Sequence, residues 1–468
     1  MSLVFYDTET TGTEPFFDQI LQFAAVQTDE DLNELDRFDV RCRILPHVVP
    51  APSAMSVTGV KVSQLIDPST PSHYEMARAI SAKLESWSPA LFIGWNSMEF
   101  DEKFVRQALY KTLHNPYLTN RVGNSRSDVM RIAQACSLMA PDALVFPTSD
   151  DGKKIFKLDR MAPANGFKHD HAHDAMNDVE ATIFLCGILM NRAPEVWSSF
   201  MRFSTKASVV AYITEEPIFC MSEFYYGKPF SFLVTTIGQS QTNPAEWYAY
   251  DLRFDPEELR SLTTTQLLVR LAQSPKLVRR LKSNGVPMLC PVEDAPEICK
   301  GREFDLDEFN RRAEVLRADA VLREHLISAL ESQKGEYPPS PHVEKHIYDG
   351  FPEESDEQLM DEFHKVAWPN RCQIVKNFKD QRLQAIGTRL IHLERPELLS
   401  EFVQREQSVA AARRLLGLGE DISWLTLPKA LSEIQRMIEE ASGQELVILR
   451  EHQKYLQELQ QKALRNLE

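Results

Sequence analysis

At 468 residues, 43% of them hydrophobic, the chain is long enough for two or three domains with buried cores and carries no repeat or low-complexity tract. A net charge of −16 excludes a uniformly basic surface, yet leaves room for a local basic channel, because salt screens surface charge beyond about 8–10 Å. No apolar run is long enough to span a membrane, no secretory leader is expected at Met1-Ser2-Leu3, and seven cysteines without a C-x-x-C pair read as reduced thiols, so a cytoplasmic protein with no membrane attachment is expected.

The run Leu3-Val4-Phe5-Tyr6 predicts a buried strand that ends in Asp7-Thr8-Glu9. Residues i and i+2 of a strand share a face, so Asp7 and Glu9 project together from its end. Two like charges so close repel, and a hard divalent cation between them relieves the repulsion; oxygen ligands suit Mg²⁺ or Mn²⁺. A lone pair of this kind is more often a solvated strand end, so the reading depends on further ligands. Strands are predicted over 20–28 and 37–45, a loop over 46–72, a helix over 73–88 and a strand over 90–94. Asp101 then opens a helix over 101–113, five residues after Asn96. A helix over 126–139, a loop over 140–155 and helices near 157–163 and 174–191 follow. His173 and Asp178 stand five apart where the last helix begins, so both can reach one site. Three strands with short links, then strands alternating with helices, predict an α/β unit with a mixed, ribonuclease-H-like sheet.

Past residue 200 the pattern changes. SVVAYIT, PIFCMSEFYY, FSFLVTTI and EWYAYDL predict β-structure between 207 and 249, in a small barrel or open sheet. Runs at 256–272 and 306–332 read as helical. Glu336-Tyr337-Pro338-Pro339-Ser340-Pro341 reads as a linker, and nearly everything from 352 onward, including 434–467, reads as helix. The domains expected are 1–200, 201–348 and 349–468.

The D-x-E of Asp7 and Glu9, Asp101 after its N-x4-D step, and the H-x4-D of His173 and Asp178 resemble the signature of the DEDDh exonucleases. FYDTETTGTEP, QFAAVQTD, GWNSMEFDEKFVRQALY, LDRMAPANG, HAHDAMNDVEAT and, far downstream, IYDGF resemble more narrowly the bacterial exonuclease I family. That resemblance implies an exonuclease domain, an SH3-like middle domain with inserted helices, and an all-helical C-terminal domain. It implies a 3′→5′ exodeoxyribonuclease of DNA repair and recombination that hydrolyses single-stranded DNA to nucleoside 5′-monophosphates with two Mg²⁺ ions, Mn²⁺ substituting. Asp7 would bridge the ions, Glu9, Asp101 and Asp178 would complete their shells, and His173 would be the general base, since imidazole titrates near neutrality. His169 and His171 read as solvated.

For the substrate, Glu9, Thr10, Phe156, Arg106, Tyr117 and Arg131 match contacting positions of the family, and Lys157 stands where the family has an arginine, which turns a bidentate fork into a point charge. Lys206, Lys276, Arg279 and Arg280 are candidates for one wall of a single-strand groove. Arg371, Lys376, Lys379, Arg382 and Arg389 form a basic stripe that lines the groove, receives the acidic C-terminal tail of single-stranded-DNA-binding protein, or is a solvated helix face. A monomer is expected. Two other readings stay open: the same chemistry on RNA or in proofreading, and a non-catalytic scaffold for single-stranded nucleic acid.

Overall fold

The computed structural model describes residues 2–121, 123–168, 174–297, 299, 305–335 and 339–468. The first sheet has the order β3-β2-β1-β4-β5, from β1 (Ser2–Thr10), β2 (Ile20–Thr28), β3 (Glu34–Arg41), β4 (Ala90–Gly94) and β5 (Ser125–Asp128). The first three strands are antiparallel, and β4 and β5 run parallel to β1. β1 is central and covered on both faces, which is why its apolar run is nearly continuous. Leu3 and Phe5 face a core shared with the helices Val129–Met139 and Ala175–Arg192. Val4 and Tyr6 face the helices His73–Trp87 and Asp101–Tyr110. This is the expected α/β unit with a mixed, ribonuclease-H-like sheet.

Two local expectations fail here. Residues 126–128 belong to β5 and not to the following helix; they are polar yet buried, so their pairing with β4 leaves no hydrophobic period to read. The loop over 46–72 holds two short helices, Pro52–Thr58 and Val62–Leu65.

The second sheet is wholly antiparallel, in the order β10-β6-β7-β8-β9, from β6 (Phe219–Tyr225), β7 (Lys228–Gln239), β8 (Glu246–Asp251), β9 (Val278–Lys282) and β10 (Met288–Cys290). The helices Thr264–Ala272, Leu306–Ala318 and Ala320–Ser332 pack on it. SVVAYIT is not a strand but part of the helix Lys206–Glu215. Thr205 caps it, and Val209, Tyr212 and Ile213 bury one helical face against the sheet, which outweighs the β-propensity of its branched residues. β9 and β10 escaped the sequence reading because one is short and basic and the other is three residues long.

From Glu354 to Arg465 the chain is almost all helix, as expected. It docks on the first unit: Tyr74, Tyr110 and Leu113 share a core with Ile347, Phe363 and Ile386. Glu344, 3% exposed, accepts from Arg389 and Arg414, and Arg414 also donates to the carbonyl of Phe17. The linker expected at 336–341 lies partly outside the described residues.

Inside this interface the rings of His114 and His364 stack at 3.8 Å, with His364 Nδ1 3.0 Å from the Tyr74 hydroxyl and Nε2 2.9 Å from the Leu113 carbonyl. Burial lowers His114 to about 2 and His364 to about 4. The unfolded chain takes these protons near 6.5 and the folded chain refuses them, so their contribution is present above that pH and is lost as pH falls toward 4. The melting temperature is accordingly expected to drop across that window. A His364→Gln variant should show a flatter profile in thermal melts.

Candidate active site

The site is assembled at the end of β1. Asp7 and Glu9 pair opposite Ala24 and Gln22 and point to the same face, and the register shifts directly after Glu9. Asp178 lies in the first turn of the helix Ala175–Arg192, whose N-cap Asp174 accepts from the amide of Met176. Carboxylate oxygens of Asp7, Glu9 and Asp178 all lie within 4.8 Å of one another, a separation a metal ion can span.

Asp101 comes from the other edge of β1. Its Oδ1 accepts from the Thr8 amide at 3.0 Å and the Thr8 hydroxyl at 2.6 Å, which pins the carboxylate beside the strand. Gly94 permits the approach: a β-carbon there would stand 2.6 Å from the Tyr6 carbonyl. The loop from Trp95 to Phe100 is held by Asp128, whose carboxylate accepts from the amides of Asn96 and Met98 and also caps the helix Val129–Met139. The sequence reading missed Asp128 and Asp174. Both carry the ordinary N-cap signature, an Asp directly before a helical run, and could have been found by it.

Asp7, Glu9 and Asp101 hold their protons strongly. Burial, then the neighbouring charges of Asp178, Asp101 and Asp174, pushes Glu9 up to about 9. Burial, then Asp101, Asp178 and Glu9, raises Asp7 well above the carboxylate range. Asp101 is raised to about 7, mainly by burial. Four carboxylates forced together in this way, with the positive end of a helix dipole on one side, form an all-oxygen donor set that fits a hard divalent cation.

His173 lies outside the described residues, as do His169 and His171. Thr10 spends its hydroxyl on the carbonyl of Gly12. Phe156 is buried between Phe146 and Phe224, and its carbonyl accepts from the Trp95 indole at 2.8 Å. Lys157 beside it is exposed. Arg106 pairs with Glu102 at 2.7 Å and lies over the Tyr117 ring. Arg131 donates to the carbonyl of Gly285 and pairs with Glu99, which makes it a link between the first and second units.

A cavity of about 1230 Å³ runs between all three units. Its walls carry cations such as Arg121, Lys282 and Lys365 and the rings of Tyr117, Tyr348 and Phe351, so the IYDGF segment is part of its lining. Arg106 and Arg126 of the wall both bind Glu102, the residue after Asp101, while none of the four carboxylates themselves lines the cavity. Lys282 was not among the expected groove residues, whereas Lys206, Lys276, Arg279 and Arg280 do not line this cavity. Lys276 caps the helix Thr264–Ala272, and Arg279 lies over Phe232.

The basic stripe of the C-terminal unit is not one surface. Arg371 is buried, stacked on Trp368 and bonded to the Tyr74 hydroxyl. Arg382 is held by Asp380 and the Gly350 carbonyl, and Arg389 by Glu344. Lys379 pairs with Glu353, and Lys376 is exposed. Helical spacing alone could not show that Arg371 is buried and Arg389 drawn to Glu344, while Arg382 lines the cavity.

Two family models match the chain. The exonuclease family model matches residues 4–185, and that of the exonuclease I C-terminal domain matches residues 341–459. The chain belongs to the exonuclease I family. Exodeoxyribonuclease I of Escherichia coli is 26% identical over 418 residues, covering 82% of this chain and 84% of its own. The Haemophilus influenzae enzyme is 25% identical over 405 residues, with the same shares. Among solved structures, the moderately thermophilic exonuclease I from Methylocaldum szegediense superposes with a TM-score of 0.85 at 25% identity, covering 98% of this chain and 99% of that one. E. coli exonuclease I in complex with a dA16 oligonucleotide superposes equally well at 22% identity and the same coverage. Family membership extends to the cavity-lining IYDGF segment, which falls within the C-terminal match.

Proposed function

We propose that this chain is a 3′→5′ exodeoxyribonuclease that hydrolyses single-stranded DNA to nucleoside 5′-monophosphates and serves DNA repair and recombination. The observation that carries the reading is the carboxylate cluster: three side chains within 4.8 Å on a rigid central strand and a helix start, with Asp101 pinned alongside. Asp7, Glu9, Asp101 and Asp178 would hold two Mg²⁺ ions, with Mn²⁺ an acceptable substitute. When bound, such ions activate water and stabilise charge on the leaving oxygen. His173 would take the proton of the attacking water as the bond from phosphorus to the 3′ oxygen breaks. Arg106 and Tyr117 flank the path of the strand, and Lys157 offers a point charge to a phosphate. Thr10, its hydroxyl engaged, would act through its backbone, and Phe156 and Arg131 would shape the site from behind.

The three domains we take as 1–200, 201–348 and 349–468. A monomer in the cytoplasm fits the family, as does an interaction with the acidic tail of single-stranded-DNA-binding protein. The dispersal of the basic stripe leaves Lys376 and Lys379 as its candidates for that tail. An intact carboxylate set speaks against a non-catalytic scaffold, and a cavity shared by three units speaks against an enzyme built on the first unit alone.

The requirement for an end gives the test. On this reading the carboxylates of Glu9 and Asp178 receive a terminal nucleotide, while threading a duplex strand costs about 1.4 kcal/mol per base-pair step. Linear single strands should be digested, circular single strands should survive, and blunt duplexes should be cut far more slowly. Rapid cleavage of a circular single strand would show an endonuclease and overturn the assignment.

A further inference from the structure

The hairpin between β6 and β7 ends in a feature that the carboxylate site does not use. Tyr225 and Lys228 pair across it, leaving Tyr226-Gly227 as a two-residue turn. Both turn residues have positive φ, 54° and 73°, the geometry in which Asn-Gly is the favoured pair. Glycine adopts it freely, but a tyrosine there is strained. The Tyr226 side chain is 96% exposed, so no packing within the chain compensates that strain. Strain of this kind at an exposed ring points to a ligand outside the chain.

The surroundings of the ring say which ligand. The hairpin leans on the loop before Lys157: a β-carbon on Gly227 would lie 3.5 Å from the Lys154 carbonyl. Phe224, two residues before the tip, packs edge-on against Phe156 with ring centroids 5.5 Å apart. Phe156 in turn is tied to Trp95, in the segment that leads to Asp101. Lys153 is taken by Asp151, and Lys154 by the Ser137 carbonyl and the face of Phe146. Lys157 and Lys228 are exposed and form no ion pair among the described residues. The acid of the hairpin, Glu223, is engaged with the Tyr225 hydroxyl. An open aromatic face near two uncommitted cations matches the alternation of base and phosphate in a single strand, whose base faces a duplex would hide.

We propose that Tyr226 is a stacking platform for a base upstream of the nucleotide being removed, with Lys157 and Lys228 meeting the neighbouring phosphates. This rests on the single-strand reading above and adds a contact that the carboxylate site does not supply. Binding of a fluorescent oligothymidylate is measured by anisotropy in chelator, so that the strand stays whole. Tyr226→Asn, the residue the turn geometry prefers, should raise the melting temperature by about 1–2 °C. The same change should weaken strand binding about ten-fold, the usual worth of one base stack, and Tyr226→Phe should restore it. A strand with one abasic nucleotide should lose several-fold affinity for the wild type at one position and none for Tyr226→Asn. Equal strand affinity of wild type and Tyr226→Asn overturns the platform, including the case in which the tip serves a protein partner instead. Hydrolysis of single strands by the wild type is followed in parallel. Its absence would sink the functional reading, whereas its presence with unchanged Tyr226→Asn binding would sink the platform alone.

Discussion

Asp7→Asn is expected to abolish strand cleavage while leaving a folded protein that still binds single strands. Removing one hydrogen-bond donor from a catalytic site typically costs 10²–10³ in rate. Asp7 sits among Glu9, Asp178 and Asp101 and is a proposed metal ligand, so the loss should be at least on the order of 10³-fold, and similarly for Asp178→Asn. His173→Ala should cost roughly 10²–10⁴, the range for a general base. The same Asp7→Asn change has a second, opposite signature. A carboxyl whose folded pKa is raised makes the metal-free protein lose stability as pH climbs from the ordinary carboxylate range through the raised value. Neutralising Asp7 should therefore raise the metal-free melting temperature at pH 8. An Asp7→Asn enzyme that cuts at the wild-type rate, or melts lower than wild type without metal, would contradict this account of the site.

Chelation should abolish hydrolysis, and Mg²⁺ or Mn²⁺ should restore it where Ca²⁺ does not. Ca²⁺ takes more ligands at longer distance and tolerates irregular shells, whereas Mg²⁺ demands a tight one. Binding must displace the protons that Glu9, at about 9, and Asp101, at about 7, carry in the metal-free site. Metal affinity should then rise with pH between about 7 and 9, with protons released to the buffer. Calorimetric titration in two buffers of different ionisation heat measures that release directly. Full activity in excess chelator, or metal binding that releases no protons below pH 8, would end the carboxylate-centred mechanism.

Much of the site was legible because its residues sit where secondary structure has a strict period. Asp7 and Glu9 share a face by the two-residue repeat of β1, and Asp178 falls in a first helical turn. What escaped were groups whose role is set by distant neighbours. Phe156 matched a strand-contacting position, but Phe224 of the second unit packs edge-on against it. Arg131 looked like a strand contact, but its reach ends on the Gly285 carbonyl. The basic stripe followed the chain and not the surface, since Trp368 and Glu344 hold Arg371 and Arg389 while Arg382, paired with Asp380, lines the cavity. The strands of the second sheet were readable where aromatic and branched residues alternate, as in β7. They were not where the segment is short and basic, as in β9.

The central claim, that these carboxylates remove nucleotides from the 3′ end of single-stranded DNA, is tested most directly by mapping products on end-labelled strands with Asp7→Asn as the control. A 3′-labelled strand should release its label at once as a nucleoside 5′-monophosphate. A 5′-labelled strand should shorten stepwise, RNA of the same sequence should be cut more slowly, and the variant should leave all of them whole. Early release of mononucleotide from the 5′ label, or equal cutting by Asp7→Asn, would contradict it.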